Sequence, residues 1–125
     1  MLLAVVLLAA ACGGGGGGSS AGKNVTCPTD ATQSVTNGEF TICAYDIRFD
    51  VKTINATAGP IKFTLVNKGA IPHTFQIEGQ NFELKTSGHN DLKSGSITLA
   101  KGTYKYQCTI PGHAAAGMAG QIVVS

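Results

Sequence analysis

At 125 residues the chain has room for one domain of ordinary size, not two. Its net charge is +2, with nine Lys and Arg scattered along the chain and only 13% charged residues, which excludes the basic footprint of a nucleic-acid binder. Seventeen glycines, many Thr and Val, and the lack of long helical periodicity exclude a helix bundle and favour an all-β domain.

Residues 1–11, MLLAVVLLAAA, are wholly apolar. A bilayer span takes about 20 such residues, so the run is too short to cross one and suits the core of an export signal. Leu8-Ala9-Ala10-Ala11-Cys12 resembles a bacterial lipoprotein processing site, which makes Cys12 the expected lipidated residue and membrane anchor. No Lys or Arg precedes the run, a departure from such signals, and an unprocessed apolar segment is the alternative. Residues 12–23 are Gly- and Ser-rich and are expected to form a flexible tether. The folded domain is then expected over 24–125, outside the cytoplasm and held to a membrane by lipid.

Within that domain the β-type runs are short and broken by turn residues. Phe40–Tyr45 and Ile47–Val51 alternate with a period of two, and Asn55–Pro60 reads as a turn. Ile61–Val66 is the cleanest strand, with Ile61, Phe63 and Leu65 on one face. Asn67-Lys68-Gly69 turns the chain before a strand from Thr74 to Ile77. Residues 79–95 carry little signal and are expected to hold loops and one short strand. Ser96–Leu99 and Thr103–Cys108 flank Ala100-Lys101-Gly102 as a hairpin, and Gly120–Val124 closes the chain. Seven or so short strands without a helix predict a β-sandwich or barrel.

The chemistry concentrates in Cys108-Thr109-Ile110-Pro111-Gly112-His113-Ala114-Ala115-Ala116-Gly117-Met118. Thiolate, imidazole and thioether donors fall five residues apart across a stretch whose Pro and Gly prevent a helix. That donor set suits copper, which cycles between a thiolate-loving Cu(I) and an imidazole-loving Cu(II). A trigonal site needs a second imidazole, and His73, after Gly69-Ala70-Ile71-Pro72, is the candidate. His89 lies in the polar segment Ser87–Asp91 and reads as a surface residue, with the weaker alternative that it replaces His73. With Cys12 and Cys108 committed, Cys27 and Cys43 remain as a pair in an exported protein, which suggests a disulfide by counting alone; two free buried thiols are the alternative.

The segment from Asp46 to Ser125 resembles the cupredoxin (type 1 blue copper) family, and its Cys-x4-His-x4-Met spacing is most similar to that of rusticyanin and the auracyanins. The resemblance implies a Greek-key β-sandwich binding one copper through His73, Cys108, His113 and Met118, with a Thr74 N–H donating to the Cys108 sulfur. It implies an electron carrier, not an enzyme, that meets redox proteins such as cytochromes or respiratory and photosynthetic complexes through an apolar rim around His113, and that acts as a monomer. Two rival readings are a subunit or fragment of a copper oxidoreductase of the nitrite reductase or multicopper oxidase kind, and a copper-delivery protein. Gln107 and Thr109 flank Cys108 where the enzymes place His, and only two Met are present, a poor fit to a delivery protein.

Overall fold

The computed structural model describes residues 22–125. The expected signal segment, Cys12 and the tether up to residue 21 lie outside the described residues. Ten strands form among the described residues: β1 Thr32–Ser34, β2 Glu39–Tyr45, β3 Arg48–Phe49, β4 Thr53–Ala56, β5 Gly59–Asn67, β6 His73–Ile77, β7 Glu83–Thr86, β8 Leu92–Leu99, β9 Gly102–Gln107 and β10 Ala119–Val124. They build two sheets, one in the order β1-β4-β10-β9-β6-β7 and one in the order β3-β2-β5-β8. The all-β sandwich is therefore present, with connections that switch sheets in the Greek-key manner. β2 with β5, β4 with β10 and β1 with β4 pair in parallel, which no tight hairpin could join.

Alternation along the strands fills the space between the sheets. Phe40, Ile42 and Ala44 of β2 and Ile61, Phe63 and Leu65 of β5 meet Ile54, Phe75, Ile77, Tyr106 and Ile122 from the facing sheet, all buried. Phe75 forms the aromatic centre, with ring centroids 5.1 Å from Tyr106 and 5.3 Å from Phe63. Tyr106 satisfies its hydroxyl in this apolar setting by donating to the Val51 carbonyl at 2.7 Å.

Three features refine what the sequence disclosed. The turn expected over Asn55–Pro60 shrinks to Thr57-Ala58, because Ile54 and Ala56 are inward-facing and β4 pairs along β10 as far as Val124. The poorly patterned stretch holds the one short strand expected of it, β7, whose Leu84 and Thr86 are buried between exposed Glu83 and Lys85, and beyond that expectation it also contains the start of β8. The segment before β1 packs against the outer face of the four-stranded sheet. There Cys43 and Val66 are register partners, both fully buried. A disulfide joins Cys27 to Cys43, as the cysteine count suggested, with Cα atoms 5.8 Å apart. Gly22, within the stretch read as tether, is buried and donates to the Asn90 carbonyl at 2.9 Å.

Candidate metal centre

β6 and β9 are antiparallel neighbours in the six-stranded sheet, so the start of one and the end of the other meet at one end of the sandwich. His73 is the first residue of β6, and Cys108 follows β9 directly. The loop 108–118 is then closed by its own backbone. Cys108 N–H donates to the Met118 carbonyl, Met118 N–H to the His113 carbonyl, and His113 N–H to the Ile110 carbonyl, each at 3.0 Å. Gly112 and Gly117 take positive φ of 84° and 107°, conformations that other residues resist, and so permit the curl.

The outcome is a compact donor set. The ligand atoms of His73, Cys108 and His113 lie within 4.8 Å of one another, and all three residues are buried. The Cys108 sulfur is 3.5 Å from His113 Nδ1, and the two imidazole rings are 5.3 Å apart between centroids. Met118 is fully buried, and its backbone bonds clamp the far end of the same loop. His89 is exposed and stays outside the set, with Nδ1 3.1 Å from the Gly69 carbonyl oxygen.

The surroundings fit a metal. His73 Nδ1 is buried and has no hydrogen-bond partner among the described residues. Leaving such an atom unpaired costs about 1–3 kcal/mol, which a bound cation would offset. Its other nitrogen, Nε2, lies 3.3 Å from Asp46 Oδ1. Burial pushes the His73 pKa below its usual value, the Asp46 hydrogen bond pulls it partly back, and the nearby His113 adds to the lowering. The ring is therefore neutral at pH 7, with a free lone pair to offer. At Asp46, desolvation works to raise the pKa but is outweighed by the N–H of Ala70, the His73 ring and the N–H of Ile71, which hold it below the carboxylate range. The Thr74 N–H points at the Cys108 sulfur at 3.4 Å, and the Thr74 hydroxyl lies 3.7 Å from it. That hydroxyl also accepts from Thr109 N–H at 2.6 Å. A second close group among the described residues, Cys27, Cys43 and Asp50, has its sulfurs joined to each other and offers no thiolate.

Sequence reasoning missed two supporting residues. Asn67 read as a turn residue, yet it is fully buried. Its side chain donates to the Ile71 carbonyl at 2.7 Å and to Thr86 Oγ1 at 3.2 Å, and accepts from Gly69 N–H at 2.9 Å. It thus fixes the loop leading into His73. Asp46 stood only at the edge of a recognised segment, and its partners lie 24 to 27 residues away.

A family model described as copper binding proteins, plastocyanin/azurin family, matches residues 36–125. The chain belongs to that family. Similar solved structures include a dithionite-reduced auracyanin from Roseiflexus castenholzii, 21% identical, covering 78% of this chain and 99% of that one with a TM-score of 0.62. Reduced rusticyanin is 23% identical over 74% of this chain and 83% of its own, with a TM-score of 0.57. Auracyanin A from Chloroflexus aurantiacus, titled a "blue" copper protein, is 20% identical over 70% of this chain and 98% of its own, with a TM-score of 0.58. At these identities the likeness speaks for the fold. No curated protein matches the chain in sequence. In a copper-binding family, a buried His73, Cys108 and His113 set is the kind of site that takes a single type 1 copper.

Proposed function

We propose that the protein is a blue-copper electron carrier in which His73, Cys108 and His113 would hold one copper, with the Met118 thioether as a further, weaker donor. The observation that carries this reading is the buried His–Cys–His cluster with an unpartnered His73 Nδ1. Copper bound there would supply a one-electron couple, tuned by the Cys108 thiolate and the Met118 thioether. The chain's own residues do the rest. Thr74 N–H draws charge from the Cys108 sulfur, the loop bonds keep the donors in place, and the apolar surroundings exclude water.

His113 is 8% exposed, at a rim made by Ile71, Pro72, Pro111, Ala115 and Ala116, all exposed. A small apolar rim around a ligand edge suits brief docking to redox proteins, in which fast release matters more than tight binding. One chain supplies every donor, in keeping with a monomer. All but one of the three histidines are used, which leaves too few for the second copper centre of an oxidoreductase. The Leu8–Cys12 motif and the Cys27–Cys43 disulfide support a place outside the cytoplasm on a lipid anchor.

The test is the visible and EPR spectrum of the copper-loaded domain. One copper per chain with an intense thiolate-to-copper band, lost in Cys108→Ser, is expected. A Ser variant that stays equally blue sinks the assignment. Membrane fractionation of the full chain and of Cys12→Ser tests the anchor, since only the variant should be released or left unprocessed.

A further inference from the structure

The corner between β2 and β3 is built at a cost. Tyr45 and Arg48 are the last register pair, so Asp46 and Ile47 alone make the turn. Ile47 has a φ of 64°, a left-handed conformation that a β-branched residue resists by roughly 1–2 kcal/mol. It is 44% exposed, so packing does little to repay the strain. The Arg48 guanidinium, 4.1 Å over the Tyr45 ring, clasps the corner shut. Strain of this sort persists where the surroundings hold it for a purpose.

What the corner delivers is the Asp46 carboxylate. Oδ1 accepts from Ala70 N–H at 2.9 Å and from Ile71 N–H at 3.4 Å, and Oδ2 lies 3.2 Å from Ala70 N. Oδ1 also lies 3.3 Å from His73 Nε2. The loop passes so close that a Cβ at Gly69 would overlap this carboxylate, which explains the glycine there. One acidic group thus ties the loop before His73 to the ring of His73.

We propose that Asp46 is a positioning residue for the copper centre: it holds His73 as the Nε2–H tautomer, turning the Nδ1 lone pair to the metal, and its charge favours the oxidised ion. This rests on His73 being a copper ligand. A neutral imidazole has one N–H and one lone pair, and the hydrogen bond made by one nitrogen decides which nitrogen faces the metal. With Nε2–H donating to Asp46, Nδ1 is the acceptor left over, and Nδ1 is buried without a partner among the described residues. A carboxylate raises ligand basicity more than a neutral acceptor does, and Cu(II) gains more from a basic imidazole than Cu(I). The charge therefore lowers the reduction potential.

Asp46→Asn separates charge from hydrogen bonding, because its amide oxygen still accepts from Ala70 and His73. Asp46→Ala removes both. In copper-free wild type, nitrogen NMR of the histidine rings is expected to show His73 as Nε2–H, kept in Asp46→Asn and lost from a single tautomer in Asp46→Ala. Loss of an outer hydrogen-bond partner typically weakens metal binding about 10–100-fold, so Asp46→Ala should release Cu(II) to a chelator by that factor. Asp46→Asn should stay blue with a raised potential, by about 59 mV for each tenfold loss of Cu(II) affinity not matched for Cu(I). An unchanged potential in Asp46→Asn, or an Nδ1–H tautomer in wild type, overturns the proposal. Should Asp46→Ala not fold, Asp46→Asn carries the test alone. A wild-type protein that takes up no copper would instead remove the ligand assignment, and the copper-free tautomer would still report on Asp46.

Discussion

Replacing both Cys27 and Cys43 with Ala tests how much of the stability resides in the bridge. The disulfide spans 16 residues of chain, and in the chain-entropy account closing a loop of that size removes about 10 cal/mol/K from the unfolded state, or about 3 kcal/mol at 25 °C. Typical domains have only about 5–15 kcal/mol in hand, so the fraction at stake is large. The bridge also holds the segment before β1 over Val66 and Cys43, which are fully buried beneath it, so the estimate is a floor if that segment detaches. Urea unfolding of the copper-free protein is the assay, because bound copper would add its own stabilisation by mass action. Two changes are expected together: a loss of about 3 kcal/mol, worth roughly 12–24 °C of Tm in a domain near 100 residues, and a steeper urea slope as the released unfolded chain exposes more surface. A loss below about 1 kcal/mol with an unchanged slope would refute the reasoning, since the bridge would then constrain nothing that the unfolded chain explores.

Burial pushes the Asp50 carboxyl up to about 6 from 3.8, against the pull of the Cys43 N–H. The folded state therefore keeps a proton that the unfolded state gives up, and the stability this brings is present below the unfolded value of 3.8 and lost as pH rises through about 6. Asp50→Asn is expected to be more stable than wild type at pH 8 by roughly 1–3 kcal/mol and equal to it near pH 4 in parallel urea titrations; equal stability at both would discount the burial. Met118→Leu should raise the reduction potential and Met118→Gln lower it while both stay blue, and voltammetry giving one potential for all three proteins would remove Met118 from the ligand set. Asn67→Ala strands the Ile71 carbonyl and the Gly69 N–H, so a stability loss of roughly 2–4 kcal/mol is expected, along with faster loss of copper to a chelator; a loss under about 1 kcal/mol would mean the loop is held by other contacts.

The sequence disclosed the strands whose alternation is strong and local. Ile61, Phe63 and Leu65 announce one buried face, and β5 runs through them. It did not disclose β1, and it foresaw β7 only as one short strand somewhere in 79–95, because neither is held by its own pattern. β1 has no buried residue among Thr32, Gln33 and Ser34, and it exists because β4 offers a parallel edge. β7 shows its alternation only through Leu84 and Thr86, and a buried Thr reads as a loop residue until Asn67 and the His73 carbonyl are seen to satisfy its hydroxyl. Pairing that depends on a distant strand leaves little trace in the strand itself.

The candidate site divides the same way. Cys108 and His113 were legible because one short loop carries them, with Met118 as the further donor that the sequence proposes, and these residue types alone state a metal preference. His73 was legible only as the imidazole still needed. The residues that orient it were silent, since an Asp at a hairpin corner and an Asn before Lys-Gly are ordinary turn residues in one dimension. Their roles appear only when β2, β5 and β6 lie together. The buried Asn67 closes the loop from below, and Asp46 closes it from the outside. With the backbone bonds across 108–118, the donors on both sides of the cluster are fixed by hydrogen bonds that do not involve a metal. A donor set held from outside in this way resists rearrangement when the charge at its centre changes, which is the mechanical requirement for fast one-electron exchange.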